Sequence, residues 1–173
     1  GEVLSDEIPA TSGSYEWAAD NKILFYVKLE EETLRPFQLW KHRLGSDYKE
    51  DVLIFEEKDD TFYIYITRSK SREYLILQSE STLVSEARIL RVTDPESAFI
   101  PFLPREANHE YSIDHALGSF FVHTNYEAKN FRLMRVLPEY TQDKNAWQDV
   151  VSARNDVLLE NFELFQDELV VSE

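Results

Sequence analysis

Cysteine is absent from all 173 residues, which excludes disulfide bridges and thiolate metal sites. Glycine is nearly as scarce. Gly1, Gly13, Gly45 and Gly118 are too few and too scattered for a phosphate-cradling loop, a dinucleotide fingerprint or a Gly-x-Ser-x-Gly nucleophile elbow. No apolar run approaches the roughly 20 residues that cross a bilayer, and no signal peptide is visible. Basic residues are outnumbered, 18 against 33 acidic, giving a net charge of −15. Nucleic acid and anionic membranes are therefore not expected partners, whereas basic peptides would be attracted. Most of the acidic residues are read as keeping a strand-rich surface soluble. Met134 is the only methionine, and the chain stops at Leu169-Val170-Val171-Ser172-Glu173 where a strand is under way, so the sequence reads as an internal piece of a longer protein.

What is present is strand-forming. Phe25-Tyr26-Val27 and Phe37 to Trp40 flank an acidic turn at Glu30 to Thr33, and Pro36, just before the second run, has no amide to donate into a central ladder. The pattern recurs in Tyr74 to Leu77 with Ala87 to Val92, and in Phe120 to Val122 with Phe131 to Val136. Arg43, Arg91 and Arg135 mark equivalent points, with steps of 91 − 43 = 48 and 135 − 91 = 44 residues. A strand-built repeat of about 40 to 50 residues is the period of a β-propeller.

The expected fold is all-β, a partial propeller of about three four-stranded antiparallel blades at 14–57, 62–104 and 109–152, with a leftover hairpin at 157–173. Asp20-Asn21, Gly45 to Asp47 and Lys58 to Asp60 supply turns. Ile23 to Val27, Phe62 to Ile66, Tyr74 to Leu77 and Phe120 to Val122 hardly alternate, so each is expected to be covered on both faces. Pro101 and Pro104 confine 98–104 to an exposed outer edge. Trp147 to Val151 reads equally as an outer strand or a short helix opened by Asp143, and Val157 to Phe165 as a strand.

Chemistry is sparse. His109, Glu110 and His115 miss the helical His-Glu-x-x-His pattern because Ile113 holds the place of the second histidine, and on a strand the two histidines lie too far apart to share a metal. They are read as hydrogen-bonding residues, like His42 and His123. Glu56-Glu57 and Asp59-Asp60 sit at turns in a chain rich in carboxylates. The 11 Phe, 9 Tyr and 3 Trp are read as blade packing. No catalytic residue, metal site or cofactor is expected in this chain.

Three ordered segments carry a resemblance. Leu24 to Val27 with Glu31 to Pro36, Leu103 to Glu106 with His109 to Tyr111 and Asp114-His115, and Thr124-Asn125 with Ala128 to Leu133 resemble the propeller of the oligopeptidase B (protease II) branch of the prolyl oligopeptidase family. The likeness runs over nearly the whole chain. It implies a slice of a seven-bladed propeller that caps an α/β-hydrolase domain, absent here, whose Ser-Asp-His triad cleaves short peptides after Arg or Lys. The propeller would filter access to that site. It also implies a cytoplasmic location, and as partners the missing blades and hydrolase domain of the same chain, with short basic peptides as substrates. No catalytic residue is carried over, so the isolated chain is expected to be inactive. A cut propeller bares sheet faces, and self-association is expected. The alternative is a free-standing propeller that binds a protein or a glycan.

Overall fold

The computed structural model describes residues 6–165 and 168–173. Among the described residues the only helical pieces are single 3₁₀ turns at Tyr48–Glu50, Pro138–Tyr140 and Lys144–Ala146. Strands β1 (Thr11–Trp17), β2 (Ile23–Leu29), β3 (Pro36–Arg43) and β4 (Val52–Glu56) form one antiparallel sheet in chain order. β5 (Tyr63–Arg68), β6 (Tyr74–Glu80), β7 (Ser85–Arg91) and β8 (Ile100–Pro101) form the second. The third is β9 (Tyr111–Ala116), β10 (Ser119–Thr124), β11 (Arg132–Val136) and β12 (Gln148–Val151), followed by the hairpin β13 (Asn161–Leu164) and β14 (Leu169–Ser172). Arg43, Arg91 and Arg135 all lie on third strands, so the repeat seen in the sequence is a repeat of sheets.

The sheets stack face to face, and strand period explains the layers. On β6, Leu75 and Leu77 join Phe25, Val27 and Leu39 of the first sheet, while Ile76 joins Ile113, Phe120 and Val122 of the third. On β10, Phe121 turns the other way and meets Leu159 and Leu164 beside the terminal hairpin. Successive side chains of a central strand therefore enter two different cores, which is why β6 and β10 carry almost no polar alternation. Each fully buried Leu or Phe contributes roughly 1.5–3 kcal/mol.

The first strands β1 and β5 meet directly, and the β5–β6 turn reaches the next first strand, β9. The Ser14 hydroxyl donates to the Ile66 carbonyl at 3.2 Å and accepts from the Ile66 amide at 2.9 Å, and Ser71 N donates to the His115 carbonyl at 2.8 Å. Val52, Leu53, Ile100 and Val150 on the fourth strands are exposed. The sheets thus fan out from a common inner edge, and the ring they begin is open.

Three expectations need correction. β5 alternates: Ile64 and Ile66 are buried, but Tyr63 is 46% exposed. Tyrosine reads as an apolar strand former, yet its hydroxyl seeks a partner, and both Tyr63 and Tyr65 donate to Glu80, at 3.2 and 2.6 Å. The segment at 98–104 pairs only at Ile100–Pro101, as its prolines require, but Phe99, Phe102 and Leu103 are buried. Past the edge the chain folds inward, and Phe102 stands edge-on to Phe120 with ring centroids 5.2 Å apart. Of the run 157–165, only Asn161–Leu164 is strand, since Leu159 is drawn into the core ahead of it.

The ambiguity at Trp147 resolves into both readings in series. The Asp143 carboxylate accepts from Asn145 N at 3.0 Å and opens a 3₁₀ turn, after which Gln148–Val151 pairs with β11. The β9–β10 turn uses Leu117 (φ 52) and Gly118 (φ 74), two left-handed residues in a row, which is the hairpin geometry that matches strand twist. Leu117 is 80% exposed there.

Candidate functional site

The residues that carry the family resemblance gather at the junctions between sheets. Arg105 leaves the inward fold after β8 and reaches back to the first sheet's exit, where Nη2 donates to Glu57 Oε2 at 2.5 Å and Nε donates to Glu86 Oε2 at 2.9 Å. Its guanidinium lies 3.8 Å from the Phe62 ring centroid. Glu86 also binds Arg88 at 2.6 Å, and Arg35 donates from Nη1 to the Phe62 carbonyl at 2.9 Å and the Asp59 carbonyl at 3.1 Å. Burial disfavours the Arg105 charge, but Glu57 and Glu86 outweigh it and hold the guanidinium pKa above its ordinary value. Glu57, read from sequence as a turn carboxylate, is 5% exposed.

The histidines serve similar junctions. His109 Nε2 lies 2.8 Å from Thr124 Oγ1, while the Tyr111 hydroxyl accepts from Ala87 N at 2.9 Å, tying β9 to β7. Asn125 Oδ1 accepts from Glu110 N at 3.0 Å. His123 stacks on Phe131 and contacts the Leu159 carbonyl through Nε2 at 2.7 Å. His42 Nδ1 lies 2.7 Å from Asp51 Oδ1, and Asp51 Oδ2 accepts from the Tyr26 hydroxyl at 2.8 Å. Burial first, and then Asp51, push the Tyr26 hydroxyl pKa upward.

One pair superficially matches a nucleophile and its base: His115 Nδ1 is 2.8 Å from Ser71 Oγ. Ser71 Oγ also accepts from Glu73 N at 3.2 Å and contacts Ser69 Oγ at 3.0 Å, and the Asp114 carboxylate binds the Lys70 and His115 amides rather than the ring. With no carboxylate orienting the imidazole, the pair is a strap that fastens the β5–β6 turn to β9. Among the described residues, no group of three His, Cys, Asp or Glu converges as a metal site.

A cleft of about 680 Å³ opens between the second and third sheets, at the end where β6 begins and β7, β9 and β11 finish. Glu73, Tyr74, Arg91, His115, Leu137 and Glu139 line it, and Arg91 stacks 4.9 Å from the Tyr74 ring centroid. Sequence reading missed this site because its residues come from five separate segments with no spacing in common.

Residues 1–173 match the family described as "Prolyl oligopeptidase, N-terminal beta-propeller domain". The chain belongs to the prolyl oligopeptidase family. It is 36% identical over 174 residues to dipeptidyl aminopeptidase BI of Pseudoxanthomonas mexicana, a match covering 100% of this chain and 24% of the relative. Protease 2 of Moraxella lacunata is 35% identical over 174 residues, covering 99% and 25%. Oligopeptidase B from Leishmania major has the same fold at TM-score 0.90 with 26% identity, covering 98% of this chain and 24% of that one. The chain therefore spans about a quarter of the length of these prolyl oligopeptidase relatives. The four-layer stack is a partial propeller of this family, and the family is one of serine peptidases. In its relatives the propeller shares one chain with the hydrolase domain.

Proposed function

We propose that this chain is the non-catalytic propeller portion of a cytoplasmic serine oligopeptidase that cleaves short peptides after Arg or Lys, and that it gates their access to the hydrolase domain. The blades are 14–57, 62–104 and 109–152, with 157–173 opening the next. The observation that carries the reading is the use of the resemblance-bearing residues: Arg35, Arg105, Tyr111 and Asn125 all hold sheets or turns together, so they keep a shape rather than perform a reaction. Tyr15 and Leu53 on the outer face of the first sheet, and Phe165 and Val170 at the terminal hairpin, are exposed where further blades would seat, and the isolated chain self-associates through them. A net charge of −15 favours encounter with basic peptides over acidic ones.

The gate is tested on the full-length protein with one Arg-containing sequence presented two ways, as a free flexible peptide and as a loop of a small folded domain. The free peptide should be cut after Arg and the folded version left intact, with cleavage restored once that domain is unfolded. Equal cleavage of both forms would remove the gating role.

A further inference from the structure

Among the described residues, His109 is the only histidine with a buried ring nitrogen that lacks a hydrogen-bond partner, and its side chain is 6% exposed. Nε2 is engaged by Thr124 Oγ1 at 2.8 Å, an oxygen that also accepts from the Tyr126 amide at 3.0 Å. The other nitrogen, Nδ1, faces Glu106 Oε2 at 3.4 Å without a hydrogen bond. Buried polar atoms ordinarily find partners, so a bare Nδ1 beside a carboxylate needs a reason. A neutral ring supplies it: with the proton on Nε2, Nδ1 is a lone pair that Glu106 cannot bond.

The same carboxylate oxygen is taken by a lysine. Lys144 Nζ bonds Glu106 Oε2 and stands 4.4 Å from the Tyr126 ring centroid, with its side chain 17% exposed. Lys144 belongs to the connection 137–147 between β11 and β12, which reaches from the third sheet across to the second. Two further contacts anchor that connection, since Gln142 Nε2 donates to the Pro101 carbonyl at 3.0 Å and the Trp147 ring packs 6.1 Å from that of Phe102. Between these anchors, Lys144 ties down the 3₁₀ turn Lys144–Ala146. His109 is thus faced by Glu106 on the connection after β8, by Lys144 on the connection after β11, by Tyr111 on β9, and by Thr124 and Tyr126 at the end of β10. Glu106 and Lys144 are the charges that act on the ring.

We propose that His109, Glu106 and Lys144 form an acid-operated latch, in which protonation of His109 takes Glu106 from Lys144 and releases the turn Lys144–Ala146. An imidazolium needs an acceptor at Nδ1, and Glu106 is the carboxylate in reach. It also places a second positive charge beside Lys144 where little water enters, and lysine, on a flexible stem and nearer the surface, is the cation that can leave. Burial, reinforced by Lys144, holds the His109 pKa at about 4 in the closed latch, and the value moves back toward 6.5 once Lys144 has left and water reaches the ring. The open state therefore binds the proton more readily, so opening is favoured as the pH falls from 6.5 toward 4. The same connection carries Leu137, Pro138 and Glu139, which wall the cleft between the second and third sheets, so opening the latch loosens that wall. The latch rests on no peptidase activity, and its test reads none.

The full-length protein is pulse-labelled with deuterium at pH 7 and at pH 4.5, rates are corrected for the intrinsic pH dependence of amide exchange, and peptides are resolved by mass spectrometry. The reporters are the amides of Asp143, Ala146 and Trp147, which bond the carbonyls of Tyr140, Asp143 and Lys144, and the reference is β6. Protection of the reporters relative to the reference should fall about tenfold or more on acidification. His109→Gln removes the titrating group and should abolish the fall. Lys144→Met, on a side chain at the surface of the latch, should already be loose at pH 7 and change less than about twofold with acid, and it carries the test should His109→Gln fail to fold. No fall relative to the reference in the unaltered protein, or a fall of the same size in either variant, overturns the latch.

Discussion

Arg105→Ala is expected to lower the stability of the propeller by about 3 kcal/mol, because it strands carboxylates that the fold has already removed from water. Glu57 and Glu86 have side chains only 6% and 7% exposed, and both depend on this one guanidinium. Glu86 keeps Arg88 as a partner, so the penalty falls mainly on Glu57, which retains only the Asp59 amide, at 3.1 Å. The lost stacking on Phe62 adds to the effect. The loss is read as a shift of the urea midpoint. Arg105→Lys should recover only part of it, since an ammonium cannot reproduce a planar fork reaching two carboxylates. Adding Glu57→Gln to Arg105→Ala should restore more than about 1 kcal/mol, because the stranded charge is then gone. Additive losses in the double variant would show that the two side chains are not coupled.

Acid should act through His109. Its ring is 5% exposed, and burial, reinforced by the nearby Lys144 cation, brings its pKa from 6.5 down to about 4. Glu106 Oε2 lies 3.4 Å from Nδ1 but off the line of a hydrogen bond, so it offsets only part of that. The folded state thus binds this proton less readily than the unfolded chain does. The stability that neutral His109 contributes is complete above about pH 6.5 and is lost as the pH falls toward 4, a change of about 3 kcal/mol over that window. Burial depresses His115 and His123 in the same direction, so other groups share the acid sensitivity. The clean readout is therefore a difference: between pH 7 and pH 4, His109→Gln should lose about 3 kcal/mol less than the unaltered chain. Parallel pH dependences would rule out His109 as a source.

The sheets could be read from the sequence because a central propeller strand shows its two-sided burial directly, as Tyr74 to Leu77 and Phe120 to Val122 do. Reading failed where a side chain has two characters. Tyr63 and Tyr65 looked apolar but anchor their hydroxyls on Glu80, and Phe102, next to edge-forming prolines, is fully buried. The junctions were half visible. Arg35, Arg105, His109 and Asn125 stood in the segments that carry the family resemblance, as did Thr124 and Glu110, the partners of the last two, but the partners of Arg105 did not. Glu57 and Glu86 are two carboxylates among 33 acidic residues, and only their pairing with Arg105 distinguishes them. The cleft had no linear signature, because turns from two sheets assemble it.

The division of labour between propeller and hydrolase domain is tested most directly by serine-directed labelling. The 173-residue chain and the full-length protein are each treated with a fluorophosphonate probe and assayed on the same short Arg peptide. The account predicts stoichiometric labelling and cleavage after Arg for the full-length protein, with the modified serine outside this chain, and neither labelling nor cleavage for the chain alone. Labelling of the isolated chain, most tellingly at Ser71 beside His115, would contradict it.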